Sequence, residues 1–253
     1  MSGDDKKPSV DPPALTKSIG FFVETVTFLV QEELFKVPRL YFEKNSSIFN
    51  DIFQGPATKN REGSSDNLPI VLESIKKVDF ERLLMAMFPE PSLSRYIPQP
   101  INMTVREWTS VLKLSTLWRF GELRHEAIEE LTKLLVDSPA EQVALGREYR
   151  VEDWMRKGYT MLLQRESALT QKEREILGAP ITVKVYEARE ATFRTGNGAK
   201  KYGGFNGSRD LASVDNLVIS GFGEELNDAS YDGEAIEEDS KLALDAGRPK
   251  KKK

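Results

Sequence analysis

The sequence predicts an α+β fold: a small sheet covered by helices, followed by a helical extension. Three observations predict it. Two short β-branched and aromatic runs, Val26–Val30 and Leu34–Val37, lie side by side near the start. The stretch from Glu107 to Leu135 carries apolar residues at helical spacing on both sides of a hinge at Trp118-Arg119-Phe120-Gly121. The order of patterns is strand hairpin, helix, strand, helix and then only helices, which fits a small sheet covered by helices.

Taken in order, residues 1–17 are polar and read as a disordered lead. Val26–Val30 and Leu34–Val37 form a hairpin across Gln31-Glu32-Glu33, a turn without the usual Asn-Gly chemistry. Pro38 ends the second strand because it has no N–H for the ladder. Leu40–Phe53 reads as helix, but Lys44-Asn45-Ser46-Ser47 is weak helix at its centre. Ser46 or Ser47 can cap a fresh helix at Ile48, so the segment is either one helix or two short ones. Leu68–Leu72 is a third strand, placed at an edge or a strand start by Pro69. Val78–Phe88 is a buried helix, and Pro89–Pro100, with four prolines, is an extended loop.

Three capping boxes mark helix starts: Thr104 with Glu107, Ser138 with Glu141, and Thr170 with Glu173. Pro139 sits at a first helical position, where its missing N–H costs nothing. Further helices are expected at Asp153–Arg165 and Ile181–Phe193. From Thr195 the character changes, with glycines at 196, 198, 203, 204 and 207. Nine acidic residues and one lysine follow between Glu224 and Asp245, and the chain ends in a basic run. Residues 194–253 therefore read as a disordered, charge-segregated tail.

Composition narrows the function. The net charge of −4 argues against a general nucleic-acid binder, which needs excess positive charge against phosphate. There is no cysteine, so disulfides, thiol catalysis and thiolate metal sites are excluded. The one histidine, His125, stands among Glu122, Arg124, Glu126 and Glu129 with no nucleophile motif nearby, and reads as a surface residue. Gly196-Asn197-Gly198 begins like a dinucleotide fingerprint, but Lys201 stands where the third glycine belongs. Trp108, Trp118 and Trp154 each lie in a helical apolar pattern and read as core. No catalytic, cofactor or metal site is expected. The apolar run Ile19–Val30 contains Glu24 and is too short to span a bilayer, and the polar start has no secretory signal. An intracellular protein, cytoplasmic or nuclear, is expected.

The run from Val26 to Phe53 (VTFLVQEELFKVPRLYFEKNSSIFNDIF) resembles the start of a BTB/POZ domain of the fungal type. The resemblance continues through Pro69–Leu84 and Trp108–Arg124, and more weakly through Val143–Trp154. It implies a BTB/POZ-like domain at 18–136 and a helical extension at 137–193. It also implies a non-enzymatic protein-interaction module that homodimerises and acts as an adaptor or scaffold. A cullin-type ubiquitin ligase is one implied partner, contacting the loop after Leu84 and the helices near 105–136. Transcription-factor members carry an aspartate before the first strand and a basic residue after the second. Here Thr25 stands at the first position and Arg39 at the second, with Pro38 before it. A buried Arg39 without a carboxylate would be costly, so Glu24 is expected to pair with it, or Arg39 to be exposed.

The resemblance and the apolar run Ile19–Val23 place Phe21, Phe22 and Leu29 at a dimer interface. The basic run Arg248, Pro249, Lys250, Lys251, Lys252 and Lys253 is a candidate nuclear-import signal. A nuclear transcriptional cofactor is the alternative function it supports.

Overall fold

β1 (Thr25–Val30) is the central strand of a three-stranded sheet of order β2-β1-β3. A computed structural model describes residues 16, 18, 22–55, 62–89, 102–194 and 211–229. β2 (Glu33–Pro38) pairs antiparallel with β1, in the register Leu29 opposite Leu34 and Phe28 opposite Phe35. β3 (Ile70–Val71) pairs parallel on the other side of β1. The expected third strand is thus only two residues long. Leu68 bridges to Ser65 instead, and the Gly63 carbonyl accepts the Thr27 N–H at 2.9 Å. Gly63 has φ +78°, and a Cβ there would meet Val26 at 2.8 Å, so this close approach requires glycine.

The hairpin turn is made by Gln31 and Glu32, both at positive φ (47° and 70°). Such a turn suits the twist of the strands, but it strains residues other than Gly or Asn. Helix α3 (Lys77–Met87) offsets that strain. Its Lys77 N–H, an orphan donor of the first turn, donates to Gln31 Oε1 at 2.8 Å. Lys77 Nζ also reaches Glu33 at 2.7 Å.

After Pro38 the chain forms α1 (Arg39–Asn45) and α2 (Ser47–Gln54), as two short helices. Ser46 caps the second: its Oγ accepts the Phe49 N–H at 3.1 Å and donates to the Trp118 carbonyl at 2.5 Å. This buried hydroxyl ties the α1–α2 junction to the hinge between α4 (Val105–Leu117) and α5 (Gly121–Leu134). Arg119, in that hinge, has φ 55°.

The first core fills the space between sheet and helices α1–α5. Phe28, Phe42, Phe49, Phe80 and Phe120 are fully buried there, with Trp118 at their edge. Phe28 packs against Phe42, Phe49 and Phe80 with ring centroids 5.0–5.6 Å apart, tilted or edge-on.

α6 (Pro139–Tyr149), α7 (Glu152–Gln164) and α8 (Gln171–Arg194) build the extension. The Thr104 and Thr170 capping boxes form as expected. The Ser138 box does not. Ser138 makes no side-chain cap bond, and the Glu141 carboxylate pairs instead with Lys172 at 3.1 Å. Gly178 (φ 73°), two residues before Pro180, interrupts α8, which is therefore two helices meeting at a kink, as the patterns at 171 and 181 predict. Trp154 joins the two halves of the molecule. It lies in the first core and donates its indole N–H to Thr132 at 2.7 Å.

One expectation needs correction. Within the expected disordered tail, a 3₁₀ turn at Leu211–Ser213 leads into α9 at 214–229. Val214, Val218, Phe222, Leu226 and Ala229 are buried in a second core with residues of α6, α7 and α8. Their spacing of four, four, four and three residues is a helical stripe that the surrounding glycines and carboxylates obscure. The Tyr159 and Phe222 rings stack at 3.8 Å, and the Tyr159 hydroxyl donates to Glu225 at 2.5 Å. Burial and that bond push the Tyr159 phenol far above its ordinary value.

Candidate functional site

Residues 22–24 lead into β1, and beside them a cleft of about 470 Å³ opens. Phe22, Arg39, Phe53 and Gly63 are among its lining residues. Phe22 and Val23 are exposed beside it, at 51% and 62%. Two apolar side chains this exposed at the head of a central strand form a small patch, while the cleft floor is part-polar.

The Arg39 guanidinium lies 4.6 Å from the Phe53 ring centre. It donates to Glu43 Oε2 and to the Phe53 carbonyl, each at 3.3 Å. Its carboxylate partner is therefore Glu43, one helical turn on, and neither expected alternative holds: Glu24 is not that partner, and Arg39 is half-buried rather than exposed. Glu24 contributes its backbone carbonyl, which accepts the Arg39 N–H at 2.9 Å. The charge is satisfied locally within α1, which removes the cost of an unpaired buried Arg.

Of the three residues placed at a dimer interface, two are described, and they lie at different places on β1 and its approach. Phe22 lines the cleft; Phe21 lies outside the described residues. Leu29 is half-buried, about 13 Å along β1 from Thr25 at the usual strand rise. Its register partners are Leu34 and Val71, exposed at 46% and 56%. The three make an apolar row across the outer face of the sheet. The sequence names Leu29, but its neighbours become visible only once the register is known.

A second hollow of about 190 Å³ lies between α1, the end of α3 and the start of α5. Tyr41, Met87, Leu123 and Glu126 line it. Partial burial, with Glu130 and Glu129 nearby, raises the Glu126 carboxyl. α3 ends at Met87, and most of the proline-rich loop that follows lies outside the described residues.

Elsewhere, α3 and α4 share a polar knot. Ser110 donates to Asp79 at 2.8 Å, and Lys113 and Arg82 approach the same carboxylate at 3.2 and 3.8 Å. Burial pushes Asp79 up, but the bonds from Ser110 and Lys113 outweigh it and hold Asp79 below its usual value. The knot orients two helices against each other.

His125 sits on α5 with an exposed side chain, 3.4 Å from Glu129. Among the described residues no group of three or more His, Asp or Glu could hold a metal ion. No described helix is long and apolar enough to cross a membrane. The candidate import signal at 248–253 lies outside the described residues. No protein-family model matches the chain, and no curated protein matches it in sequence.

Proposed function

We propose that this protein is a non-enzymatic interaction module that homodimerises through the head of β1 and serves as an adaptor or scaffold in the cytoplasm or nucleus. The observation that carries the reading is the exposed pair Phe22 and Val23 beside the cleft at the start of the central strand. The resemblance of residues 26–53 to a BTB/POZ domain agrees with it, since domains of that family commonly homodimerise. A few apolar anchors would carry most of the affinity. The outer row Leu29, Leu34 and Val71 offers a further apolar surface on the sheet.

Sedimentation equilibrium at micromolar concentration is the direct test. A dimer is expected, and Phe22→Asp with Val23→Asp should shift it to monomer. A strict monomer at that concentration refutes the reading. Co-purification of a cullin would make the adaptor a ubiquitin-ligase component. The basic run at 248–253 favours a second reading, a nuclear transcriptional cofactor. Deleting 248–253 should then abolish nuclear uptake, and unchanged uptake refutes it.

A further inference from the structure

α9 differs from every other helix of the second core in how it is held. It follows α8 only after residues 195–210, which hold five glycines. Its own sequence places Gly221 and Gly223 on either side of its central anchor, Phe222. Neither glycine has a positive φ. A Cβ at Gly221 would meet nothing within 4 Å, and one at Gly223 would meet only Ile219, at 3.8 Å. Packing does not demand glycine at either position, yet each lowers helix propensity relative to alanine. Gly146 and Gly158, on α6 and α7, show the opposite: a Cβ at either would come within 2.7 Å of a neighbour.

The surface under α9 is specific. It takes a four-residue apolar stripe, Val214, Val218, Phe222 and Leu226, each about 1% exposed. It stacks Tyr159 on the aromatic anchor and meets the carboxylate three residues later twice. The Tyr159 hydroxyl donates to Glu225, and Arg147 pairs with it at 3.0 Å. Lys184 lies 6.0 Å from the Phe222 ring centre. Residues 211–229 carry four carboxylates and no lysine or arginine, so an acidic helix meets cationic side chains at the groove.

We propose that the groove of α6, α7 and α8 is a receptor for an acidic amphipathic helix of a partner protein, and that α9 fills it reversibly as an in-chain stand-in. The recognised pattern is apolar residues at four-residue spacing around an aromatic anchor, with a carboxylate three positions after that anchor. The glycines of α9 keep the stand-in weak enough to leave. This groove and the head of β1 lie on different elements, so either reading can fail alone.

The test uses the full-length protein and a fluorescein-labelled peptide with the sequence of residues 211–229, followed by anisotropy. Phe222→Ala weakens the in-chain helix, so the variant should bind the peptide at least tenfold more tightly than the parent. Gly221→Ala with Gly223→Ala strengthens it, and binding should fall roughly 30-fold. Tyr159→Ala added to Phe222→Ala should abolish binding. Hydrogen exchange of the unsubstituted protein gives a second readout: amides of α9 should open before those of α7, and the double alanine variant should slow them by a similar factor. Failure of a folded Phe222→Ala protein to bind the peptide overturns the proposal. So does exchange of α9 amides only with those of α7. A dimer that requires residues 211–229 would assign the groove to a second copy and overturn the partner reading.

Discussion

The two cores are built differently. The first is aromatic: phenylalanines from β1, α1, α2 and α3 meet Trp118 and Phe120 of the hinge. The second is mostly aliphatic and depends on close helix approach, with Gly146 and Gly158 allowing α6 and α7 to touch. The first is continuous with the sheet that forms it. The second is finished by a helix arriving from beyond 195–210. The difference teaches that size-matched rings fix the first core, whereas the second depends on what lies in its groove.

The sharpest way to break this contrast is Phe28→Ala. Phe28 is fully buried against three other rings, so the loss should be about 3–5 kcal/mol. Because Trp154 links the two cores, a single thermal transition at lower temperature is expected by circular dichroism. Survival of a folded α6–α9 would show the cores to be independent.

Gly158→Ala tests the second core. The new Cβ would come within 2.7 Å of the Pro139 carbonyl and of Val143, and α6 and α7 must separate. A cost of about 2–3 kcal/mol in a urea melt is expected. A neutral result would mean that the helix contact yields easily.

Glu173→Gln is expected to cost about 1–2 kcal/mol near neutral pH. Glu173 accepts two bonds from Arg165 at 2.6 Å and caps α8 through Thr170. The Arg165 bonds lead in holding its carboxyl down, at about 2 against an ordinary 4.5. A lowered folded pKa stabilises above the unfolded value and fades as pH falls through the folded one. The gap between parent and variant should therefore be full above about pH 4.5 and close towards pH 2. A gap independent of pH would exclude this ion pair as its source.

The smallest effect belongs to His125→Ala. The side chain is exposed and its ion pair is with Glu129 on the same helix, so the change should stay within about 0.5 kcal/mol. A larger loss of stability or of partner binding would give α5 a role that its geometry does not show.

Most of the fold was legible because its signals are local. β-branched runs marked the hairpin, Ser46 the break between α1 and α2, and Thr104 and Thr170 two helix starts. Ser138 failed because a capping box needs its carboxylate to be free, and Lys172 takes Glu141 from another helix. α9 was missed because composition outweighed period: its glycines and acids mask the spacing of Val214, Val218, Phe222 and Leu226. The surface was less legible than the core. Arg39 finds Glu43 through helical geometry, and the row Leu29, Leu34 and Val71 depends on register across three strands.

The Ser46–Trp118 hydrogen bond has a consequence during synthesis. Its partners are 72 residues apart in sequence. At about 5–20 residues per second a ribosome makes that interval in roughly 4–14 s. Through that time Phe28, Phe42 and Phe49 have been made, but the hinge that covers them has not. A nascent chain with three uncovered rings is a natural client for a chaperone that holds apolar segments near the ribosome. Slowing translation between Phe53 and Trp118 should lengthen that exposure and lower the soluble yield.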